Sequence, residues 1–301
     1  MKIAIIGLGD IAQKAYLPIL TQLEGIELVF CTRNQATLNR LSKQYRVSET
    51  YQDYRLLSKA KIDAVMIHSS TVSHPTVATY FLKQGIATFV DKPLADSAAQ
   101  CEKLYALAEQ YKAPLYLGFN RRFIPLYQQH LVPENLLSLR WEKNRFAHPG
   151  ELRTFIFDDF IHPLDSVNLH GKTNLDDINL VTQFKGAELA RIDIQWQQKG
   201  TLLHASMNRL FGITNELVSF NYENCSYQFD SFISGVKWKE NQQTTLRLPD
   251  WTPMLASKGF TAMVDDWLQV VAKGKLDSAV IKRNLASHQL AEAICQHIGN
   301  N

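Results

Sequence analysis

Cysteine is scarce in this chain, and none of its cysteines forms a Cys-x-x-Cys pair. The four are spread over the whole sequence, at Cys31, Cys101, Cys225 and Cys295. Structural zinc sites and disulfide frameworks use closely spaced cysteines, so we expect neither here. Scattered, unpaired cysteines are typical of a reducing compartment, and we expect a cytoplasmic protein.

The chain also lacks long apolar runs and a strong charge of either sign. No apolar stretch reaches the roughly 20 residues that a membrane-spanning helix needs. The formal net charge is only +3 and no run of basic residues occurs, so neither a nucleic acid nor a membrane is indicated as a partner. Because a strand is predicted from Lys2 onward, we expect no cleavable leader. The 301 residues, 46% of them hydrophobic, are enough for two globular domains.

The opening residues, MKIAIIGLGDIA, carry the motif Gly-x-Gly-x-x-Ala. The apolar run at 3–6 predicts a buried strand and a helical pattern begins near Ile11, which is the context that a dinucleotide site requires. Gly7 would permit a tight turn, Gly9 would let the backbone approach a pyrophosphate, and Ala12 is small enough for close packing of helix on strand. The amides of Asp10, Ile11 and Ala12, at the start of the helix, would face the phosphates. The alternative is a plain turn without a ligand.

The end of the second predicted strand bears on the choice of cofactor. Its sequence is Phe30-Cys31-Thr32-Arg33-Asn34, which contains no acidic residue. Dinucleotide-binding domains that prefer NAD usually place Asp or Glu here to bind the ribose 2′-hydroxyl. Thr32 and Arg33 offer instead a hydroxyl and a guanidinium, which suit a 2′-phosphate. This favours NADP(H). The alternative is that Arg33 is an ordinary surface residue and that both cofactors bind, so NAD(H) is left open.

Strands and helices alternate over the first 120 residues. The predicted strands are apolar on both faces, which indicates a parallel sheet covered by helices, and handedness rules make it a doubly wound Rossmann sheet. Residues 1–120 form the predicted NAD(P)-binding domain. We predict strands at 3–6, 27–31, 64–67, 87–90 and 114–117, and helices at 11–23, 35–45, 76–84 and 97–111.

The pattern changes after Asn120, where segments alternate apolar and polar residues with a period of two. This alternation predicts an antiparallel sheet with one open face. Residues 121–301 therefore form a predicted α+β domain with a large, mostly antiparallel open sheet. We predict strands at 137–141, 178–184, 191–196, 202–208, 216–221 and 226–232, and helices at 123–131, 158–169, 259–273 and 282–298.

Four segments resemble, in order, those of the glucose–fructose oxidoreductase, inositol dehydrogenase and MocA family (Gfo/Idh/MocA). Thr88-Phe-Val-Asp-Lys-Pro-Leu-Ala resembles its Glu-Lys-Pro signature, with Asp91 in place of Glu. Ile62-Asp-Ala-Val-Met-Ile-His-Ser-Ser, followed by His74, resembles its fourth strand and cofactor-contacting loop. Gly118-Phe-Asn-Arg-Arg-Phe resembles the exit from the nucleotide domain, and Asp158-Asp-Phe-Ile-His-Pro-Leu-Asp the Asp-x-x-x-His-x-x-Asp helix of the second domain. The Asp-Lys-Pro-Leu and Gly-Phe-Asn-Arg-Arg-Phe segments are most similar to those of family members labelled MviM-like.

The resemblance implies an NAD(P)-dependent oxidoreductase that transfers a hydride between the nicotinamide and a secondary alcohol or carbonyl of a sugar, polyol or related small molecule. It implies that Lys92 binds the reacting oxygen, that His162 is the acid/base and that Asp158 supports it. It also implies a C-terminal domain that binds the substrate and pairs into a homodimer or higher homo-oligomer. The further cofactor-binding residues it implies are Ser69, Ser70, His74, Asp91, Lys92 and Asn120.

The residues themselves are compatible with these roles. Asp158 and His162 are four apart and share a helical face, where a carboxylate raises the basicity of an imidazole, and Asp165 lies near the same stripe. The alternatives are a solvated face and, less favoured, a metal site, so no metal is predicted. Lys92 lies at the carboxyl end of a strand, where doubly wound sheets bind ligands, and Pro93 holds it extended. A surface lysine is the alternative there, and the isomer of the Lys92–Pro93 bond is left open.

A catalytically silent NAD(P)-binding regulator is the second hypothesis, and a scaffold that has lost its cofactor is the third. The complete set of Lys92, Asp158 and His162 favours the enzyme, because a regulator needs only the glycine loop. The intact glycine motif disfavours the scaffold. Five residues are predicted to shape the substrate pocket, each with a structural role as the alternative: Asn120, Arg121, Arg122, His148 and Trp251.

Overall fold

The computed structural model describes residues 1–300, which divide into two compact units. The first unit comprises Met1–Phe119 and Phe260–Ile281, and the second comprises Asn120–Gly259 and the chain from Lys282 onward. The sequence-based division near Asn120 differs from this grouping at residues 260–281, which it placed in the second domain. Within residues 1–300, no helix is both long and apolar enough to cross a membrane.

A six-stranded parallel sheet forms the centre of the first unit. Its strands are β1 Lys2–Ile6, β2 Glu27–Cys31, β3 Thr50–Tyr51, β4 Ala64–Ile67, β5 Ala87–Asp91 and β6 Leu115–Gly118, in the spatial order β3-β2-β1-β4-β5-β6. Every residue of β4 and β5 is buried, which is why β4 is a continuous apolar run and β5 is apolar except for Thr88 and Asp91. The predicted Rossmann fold is confirmed, with the short edge strand β3 as an addition.

The helices agree with the predictions except where a proline intervenes. The predicted helix at 123–131 is wrong, because Pro125 has no amide hydrogen and starts a new short helix after a 3₁₀ turn at Asn120–Phe123. The helices are α1 Leu17–Leu20, α2 Gln35–Tyr45, α3 His74–Leu82, α4 Ala98–Gln110, α5 Pro125–Gln128, α6 Leu152–Thr154, α7 Ile161–Val167, α8 Met254–Ser257, α9 Phe260–Lys273 and α10 Ser278–Gly299. Further 3₁₀ turns lie at Tyr54–Ala60, Thr71–Ser73 and Pro133–Asn135.

Helix α9 groups with the first unit because it completes the aromatic core there. The ring of Trp267 lies 5.8 Å from that of Phe89 and 5.6 Å from that of Tyr116. The Tyr116 hydroxyl also donates a hydrogen bond to Asp266 at 2.7 Å. A segment that is distant in the sequence therefore packs on the sheet of the nucleotide-binding unit.

Two π-helical segments, Ala12–Tyr16 and Phe155–Phe160, each precede a proline. Pro18 and Pro163 have no amide hydrogen to donate to the carbonyl four residues back, so the chain widens instead. The amides of Leu17 and Ile161 accordingly bond the carbonyl five residues back, at Ala12 and Ile156. The helix predicted at 158–169 is thus wrong in its bounds: the regular α7 covers only Ile161–Val167.

The second unit is built on an eight-stranded sheet in the order β14-β13-β12-β11-β7-β10-β9-β8. Neighbouring strands are antiparallel except for β7 and β10, which are parallel. The prediction of a large, mostly antiparallel sheet is confirmed, but β13 and β14 were missed: β14 is polar with little alternation, and β13 alternates only over Val236–Lys239. The strands are β7 Ser138–Asn144, β8 Asn179–Lys185, β9 Glu188–Gln198, β10 Thr201–Asn208, β11 Asn215–Tyr222, β12 Cys225–Asp230, β13 Ser234–Lys239 and β14 Gln242–Arg247.

Helix α7 packs against β7 and β10 on one face of this sheet. The opposite face is open and mostly polar: Arg140 pairs there with Glu142, and Arg191 with Asp193. Exposed apolar side chains on that face include Val181, Leu202 and Trp238. The polar character of this face agrees with the alternation in the sequence, and the homodimer stays a prediction.

Candidate active site

The glycine loop contains two glycines with different physical requirements. Gly7 has a φ of +86° and donates a hydrogen bond from its amide to the Cys31 carbonyl at 2.9 Å. A Cβ atom at Gly7 would lie 2.6 Å from the backbone nitrogen of Ser69, so only glycine fits. A Cβ atom at Gly9, by contrast, would meet no protein atom within 4 Å. Gly7 is thus required by the fold, and Gly9 leaves an open space.

That open space fits a pyrophosphate. Helical backbone begins at Asp10, directly after Gly9, so its free amides face the loop. Ala12 is fully buried, which allows the close packing of helix on sheet, while Asp10 and Ile11 are exposed. The Gln13 side chain holds the loop by donating to the Leu8 carbonyl at 2.8 Å. These features are compatible with a dinucleotide cradle, and cofactor binding by the five loop residues Gly7, Gly9, Asp10, Ile11 and Ala12 stays a prediction.

The loop after β2 has an ordered backbone and an exposed arginine. The amide of Thr32 donates to the Tyr51 carbonyl at 3.1 Å, and the Gln52 side chain donates to the Arg33 carbonyl at 3.0 Å. Asn34 then caps α2 by accepting from the Thr37 amide at 2.9 Å. The Arg33 side chain is exposed, so its guanidinium is accessible to a ligand, while the backbone that carries it is held by these hydrogen bonds.

Serine hydroxyls form hydrogen bonds within the loop after β4. The hydroxyls of Ser69 and Ser73 lie 2.7 Å apart, and the Ser73 hydroxyl donates to the Ser70 carbonyl at 2.7 Å. His74 is only 1% exposed, so its imidazole points into the protein rather than into a ligand space. Contact of His74 with the cofactor stays a prediction.

Asp91 is a buried carboxylate that fixes the backbone of Lys92. It accepts a hydrogen bond from the Lys92 amide at 2.9 Å and one from the Tyr16 hydroxyl at 3.2 Å. Burial alone would raise the pKa of Asp91, but the neighbouring His68 and Lys92 outweigh it and hold that pKa below its usual range. The Lys92–Pro93 peptide bond is cis. Asp91 is therefore placed to orient Lys92.

Sequence reasoning missed Tyr16 and His68 at this end of the sheet. Their rings lie 4.0 Å apart, and Nδ1 of His68 lies 3.9 Å from the Asp91 carboxylate. Within residues 1–300, neither ring nitrogen of His68 has a hydrogen-bond partner. The signal for both was present: a tyrosine on the apolar side of a helix, and a histidine at the end of a strand that is otherwise apolar.

Gly118, which pairs with Asp91 across β5 and β6, leaves the room that Tyr16 occupies. A Cβ atom there would lie 2.8 Å from the Phe89 ring and 3.1 Å from the Tyr16 hydroxyl. We therefore expect Gly118→Ala to lower the free energy of unfolding by about 1–3 kcal/mol through overpacking. Urea denaturation measures this, with Gly212→Ala as the control, because a Cβ atom at Gly212 meets nothing within 4 Å. Equal stability of the two variants would contradict the packing argument.

Asp158 and His162 lie on the helical segment of the second unit. Asp158 is exposed and His162 is 6% exposed. Because Asp158 belongs to the π segment and His162 to α7, their four-residue spacing crosses a change in helix type. A π turn advances by more than four residues, so the regular α-helical face assumed from the sequence does not hold here. The Asp158–His162 pairing stays a prediction.

Asp165 anchors this helix instead of extending the stripe. Its carboxylate accepts two hydrogen bonds from Arg122, at 2.8 and 2.6 Å, and one from the Ser287 hydroxyl at 2.7 Å. Burial would raise the pKa of Asp165, but Arg122 and Arg283 hold it below its usual range. Among residues 1–300, no group of three or more His, Cys, Asp or Glu side chains is arranged to hold a metal ion.

The residues predicted to shape a pocket divide into buried anchors and exposed groups. Arg121 makes a largely buried ion pair with Glu216, and Arg122 binds Asp165 as described above. The Asn120 side-chain amide donates to the Lys258 carbonyl at 2.8 Å. The exposed members are His148 and Trp251, the latter 96% exposed.

Sequence reasoning also missed a buried lysine in the second unit. Lys143 is 1% exposed and forms an ion pair with Asp159. Burial, together with the nearby Arg121, lowers the pKa of Lys143 to about 7. Its ammonium also donates to the Asp159 carbonyl at 3.2 Å, which Pro163 cannot reach with an amide hydrogen four residues on. A lysine among inward-facing positions of a strand was the available signal.

Comparison with known proteins decides the family. Residues 1–119 match the family model GFO_IDH_MocA, described as an oxidoreductase family with an NAD-binding Rossmann fold. A protein of Salmonella typhimurium named "Putative oxidoreductase YceM" is 30% identical over 98% of this chain and 97% of its own. The chain belongs to the Gfo/Idh/MocA family. The predicted enzyme class, an NAD(P)-dependent oxidoreductase, is thereby confirmed, as is the nicotinamide dinucleotide as cofactor.

Two further relatives of this Gfo/Idh/MocA protein are informative. A Gfo/Idh/MocA family oxidoreductase from Vibrio cholerae, known from a crystal structure, is 61% identical, covers 100% of this chain and 98% of its own, and superposes with a TM-score of 0.98. The myo-inositol dehydrogenase Hyg17 of Streptomyces leeuwenhoekii is 26% identical over 64% of this chain and 58% of its own. The first is similar over the whole fold, and the second is named for an activity on a polyol.

Proposed function

We propose that this oxidoreductase interconverts a secondary alcohol and the corresponding carbonyl on a sugar, polyol or related hydroxylated compound. The observation that carries the proposal is the position of Lys92, whose backbone Asp91 fixes at the carboxyl end of β5. In the same sheet, β4 separates β5 from β1, which leads into the glycine loop. Doubly wound sheets bind their ligands at this edge. The polyol activity for which Hyg17 is named supports the substrate class.

The proposed roles follow from the chemistry of the side chains. The nicotinamide, when bound, supplies or accepts the hydride. The ammonium of Lys92 donates a hydrogen bond to the reacting oxygen and stabilises negative charge that develops on it. His162 exchanges the hydroxyl proton as the general acid/base, and Asp158 supports its charged form. The glycine loop, with Ser69 and Ser70, holds the cofactor.

We propose NADP(H) as the preferred cofactor. The end of β2 offers no carboxylate to a ribose 2′-hydroxyl, and the exposed Arg33 guanidinium stands on a backbone that Gln52 fixes. The absent carboxylate removes repulsion of a 2′-phosphate, and Thr32 and Arg33 supply the attraction.

Arg33→Asp is expected to weaken NADPH binding and strengthen NADH binding. The change replaces a phosphate partner with an acceptor for the ribose hydroxyl, and a charge-assisted hydrogen bond is worth about 1.5–3 kcal/mol. The ratio of NADPH to NADH affinity should therefore fall by about tenfold or more in fluorescence titrations. Lys43→Asp makes the same change of charge at an exposed position of α2 and should leave the ratio unchanged. An unchanged ratio in Arg33→Asp would remove the argument for NADP(H).

The reaction itself is tested by turnover. NADPH or NADP⁺ consumption is followed against a panel of sugars, polyols and keto-sugars, and the proposal expects a substrate in this panel. Tight NADPH binding without turnover across the panel would instead favour a catalytically silent regulator. If the protein bound neither NADPH nor NADH, the enzyme and the regulator hypotheses would both be contradicted.

A further inference from the structure

His74 contacts two loops at once. Its Nε2 atom lies 2.9 Å from the Ser69 carbonyl oxygen, in the loop after β4, and its Nδ1 atom lies 2.9 Å from the Pro93 carbonyl oxygen, in the loop after β5. Both ring nitrogens thus face a carbonyl acceptor, so the imidazolium donates to both loops at once, whereas a neutral imidazole donates to one of them, through whichever nitrogen carries the proton. Burial lowers the pKa of His74, whereas the two carbonyls and the Asp91 carboxylate oppose that lowering.

The Ser69 end of this link reaches the glycine loop. The backbone of Ser69 packs so closely on Gly7 that a Cβ atom there would lie 2.6 Å from the Ser69 nitrogen. The Ser69 hydroxyl is in addition fixed by that of Ser73 at 2.7 Å. A constraint on the Ser69 carbonyl is therefore transmitted to the surroundings of Gly7.

The Pro93 end of the link reaches Lys92. Asp91 holds the Lys92 amide from one side, at 2.9 Å, and His74 holds the next carbonyl along the chain. The backbone on both sides of the Lys92 side chain is thus restrained by buried groups.

We infer that His74 is a positioning residue, which holds the Lys92–Pro93 loop and the Ser69 loop in register with each other through its two ring nitrogens. The inference rests on the proposed function in one respect, namely that the Lys92 loop carries the reacting group. The mechanical link between the loops does not depend on the identity of the substrate.

Two substitutions separate the ends of the link. Counted in bonds from Cβ, the side-chain nitrogen of Asn corresponds to Nδ1 and that of Gln to Nε2. His74→Asn therefore keeps the contact with Pro93 and loses that with Ser69, and His74→Gln does the reverse. Each variant should loosen one loop and spare the other, so either variant alone is decisive.

The measurements are hydrogen–deuterium exchange of the ligand-free protein and NADPH affinity by fluorescence. In His74→Asn, exchange should rise in residues 69–73, and NADPH should bind about three- to tenfold more weakly, the loss expected for one hydrogen bond. In His74→Gln, exchange should rise in residues 92–96, with NADPH affinity within about twofold of wild type. With a substrate in hand, kcat should fall more in His74→Gln than in His74→Asn.

His288 provides the matched control, because it is also 1% exposed and its Nδ1 faces the Asn284 carbonyl at 2.8 Å in the second unit. His288→Asn and His288→Gln should leave exchange at 69–73 and 92–96 unchanged. Equal loosening of both loops in the two His74 variants, or of neither loop, would overturn the inference. A split exchange pattern in a protein without turnover would uphold the link and contradict only the proposed function.

Discussion

Gly9→Val is expected to abolish NADPH binding in a protein that remains folded. No protein atom outside its chain neighbours lies within 4 Å of the position that a Cβ atom would take at Gly9, so the branched side chain starts in open space and the fold should tolerate it. That space is the one assigned to the pyrophosphate, whose contacts with the backbone amides require close approach. We expect the Kd for NADPH to rise by at least about a hundredfold, which corresponds to ~2.7 kcal/mol of binding free energy.

Fluorescence titration with NADPH measures the affinity, and circular dichroism with thermal unfolding establishes that the variant is folded. Gly7→Ala is the informative contrast. Its Cβ atom would lie 2.6 Å from the Ser69 nitrogen at a φ of +86°, so we expect this smaller change to destabilise the protein itself. Wild-type affinity in folded Gly9→Val would show that the pyrophosphate does not bind at Gly9.

The outline of the fold could be predicted because its signals are local. A buried parallel strand reads as an apolar run, as in β4, and a half-buried strand reads as alternation, as in β9. The glycine loop has a defined sequence context on both sides. Strand β14 lacks such a signal because five of its six residues are polar, and in β13 the alternation spans only Val236–Lys239. The membership of α9 in the first unit depends on the distant contacts of Trp267, which no local pattern contains.

The site was predictable to the extent that its residues follow strand ends. Gly7, Ser69 and Asp91 lie at or just after the carboxyl ends of adjacent parallel strands, so their proximity follows from topology alone. Partner choice does not follow from it. Asp165 fits the helical stripe of a reaction site, yet it binds Arg122 and Ser287. A buried carboxylate pairs with the donors that the tertiary fold brings next to it, and these donors can be distant in the sequence.

Helix type was a further point that periodicity could not supply. The four-residue spacing of Asp158 and His162 predicts a shared face only in a regular α-helix, whereas the chain is π-helical up to Phe160. The nearby Pro163 was the available signal, because its missing amide hydrogen disfavours an α-turn before it. The same reasoning applies to Pro18 and the turn that carries Tyr16. A proline inside a helical pattern therefore predicts a departure from regular α-helical geometry in the turn before it.

Lys92→Met and His162→Ala are each expected to lower kcat by at least about a hundredfold with little change in NADPH affinity. General acid–base assistance contributes about two to four powers of ten in rate, and stabilisation of a developing oxyanion contributes about as much. Cofactor affinity should persist because the contacts with the pyrophosphate lie on the glycine loop, which neither substitution touches. Steady-state kinetics on the substrate found in the panel, with NADPH titration of each variant, provides the measurement.

The order of the losses tests the assigned roles. Lys92→Met should lower kcat more than His162→Ala does, because the ammonium both binds the substrate oxygen and stabilises its charge. Asp158→Asn should give a smaller loss, since an amide still accepts a hydrogen bond but no longer supports a charged imidazole. Lys83→Met, at an exposed lysine after α3, should have no effect and controls for the loss of a positive charge. Unchanged kcat in both Lys92→Met and His162→Ala would mean that other side chains handle the proton and the oxyanion. If only Lys92→Met lost turnover, the result would support the role of Lys92 in stabilising the oxyanion. It would also mean that a group other than His162 transfers the proton.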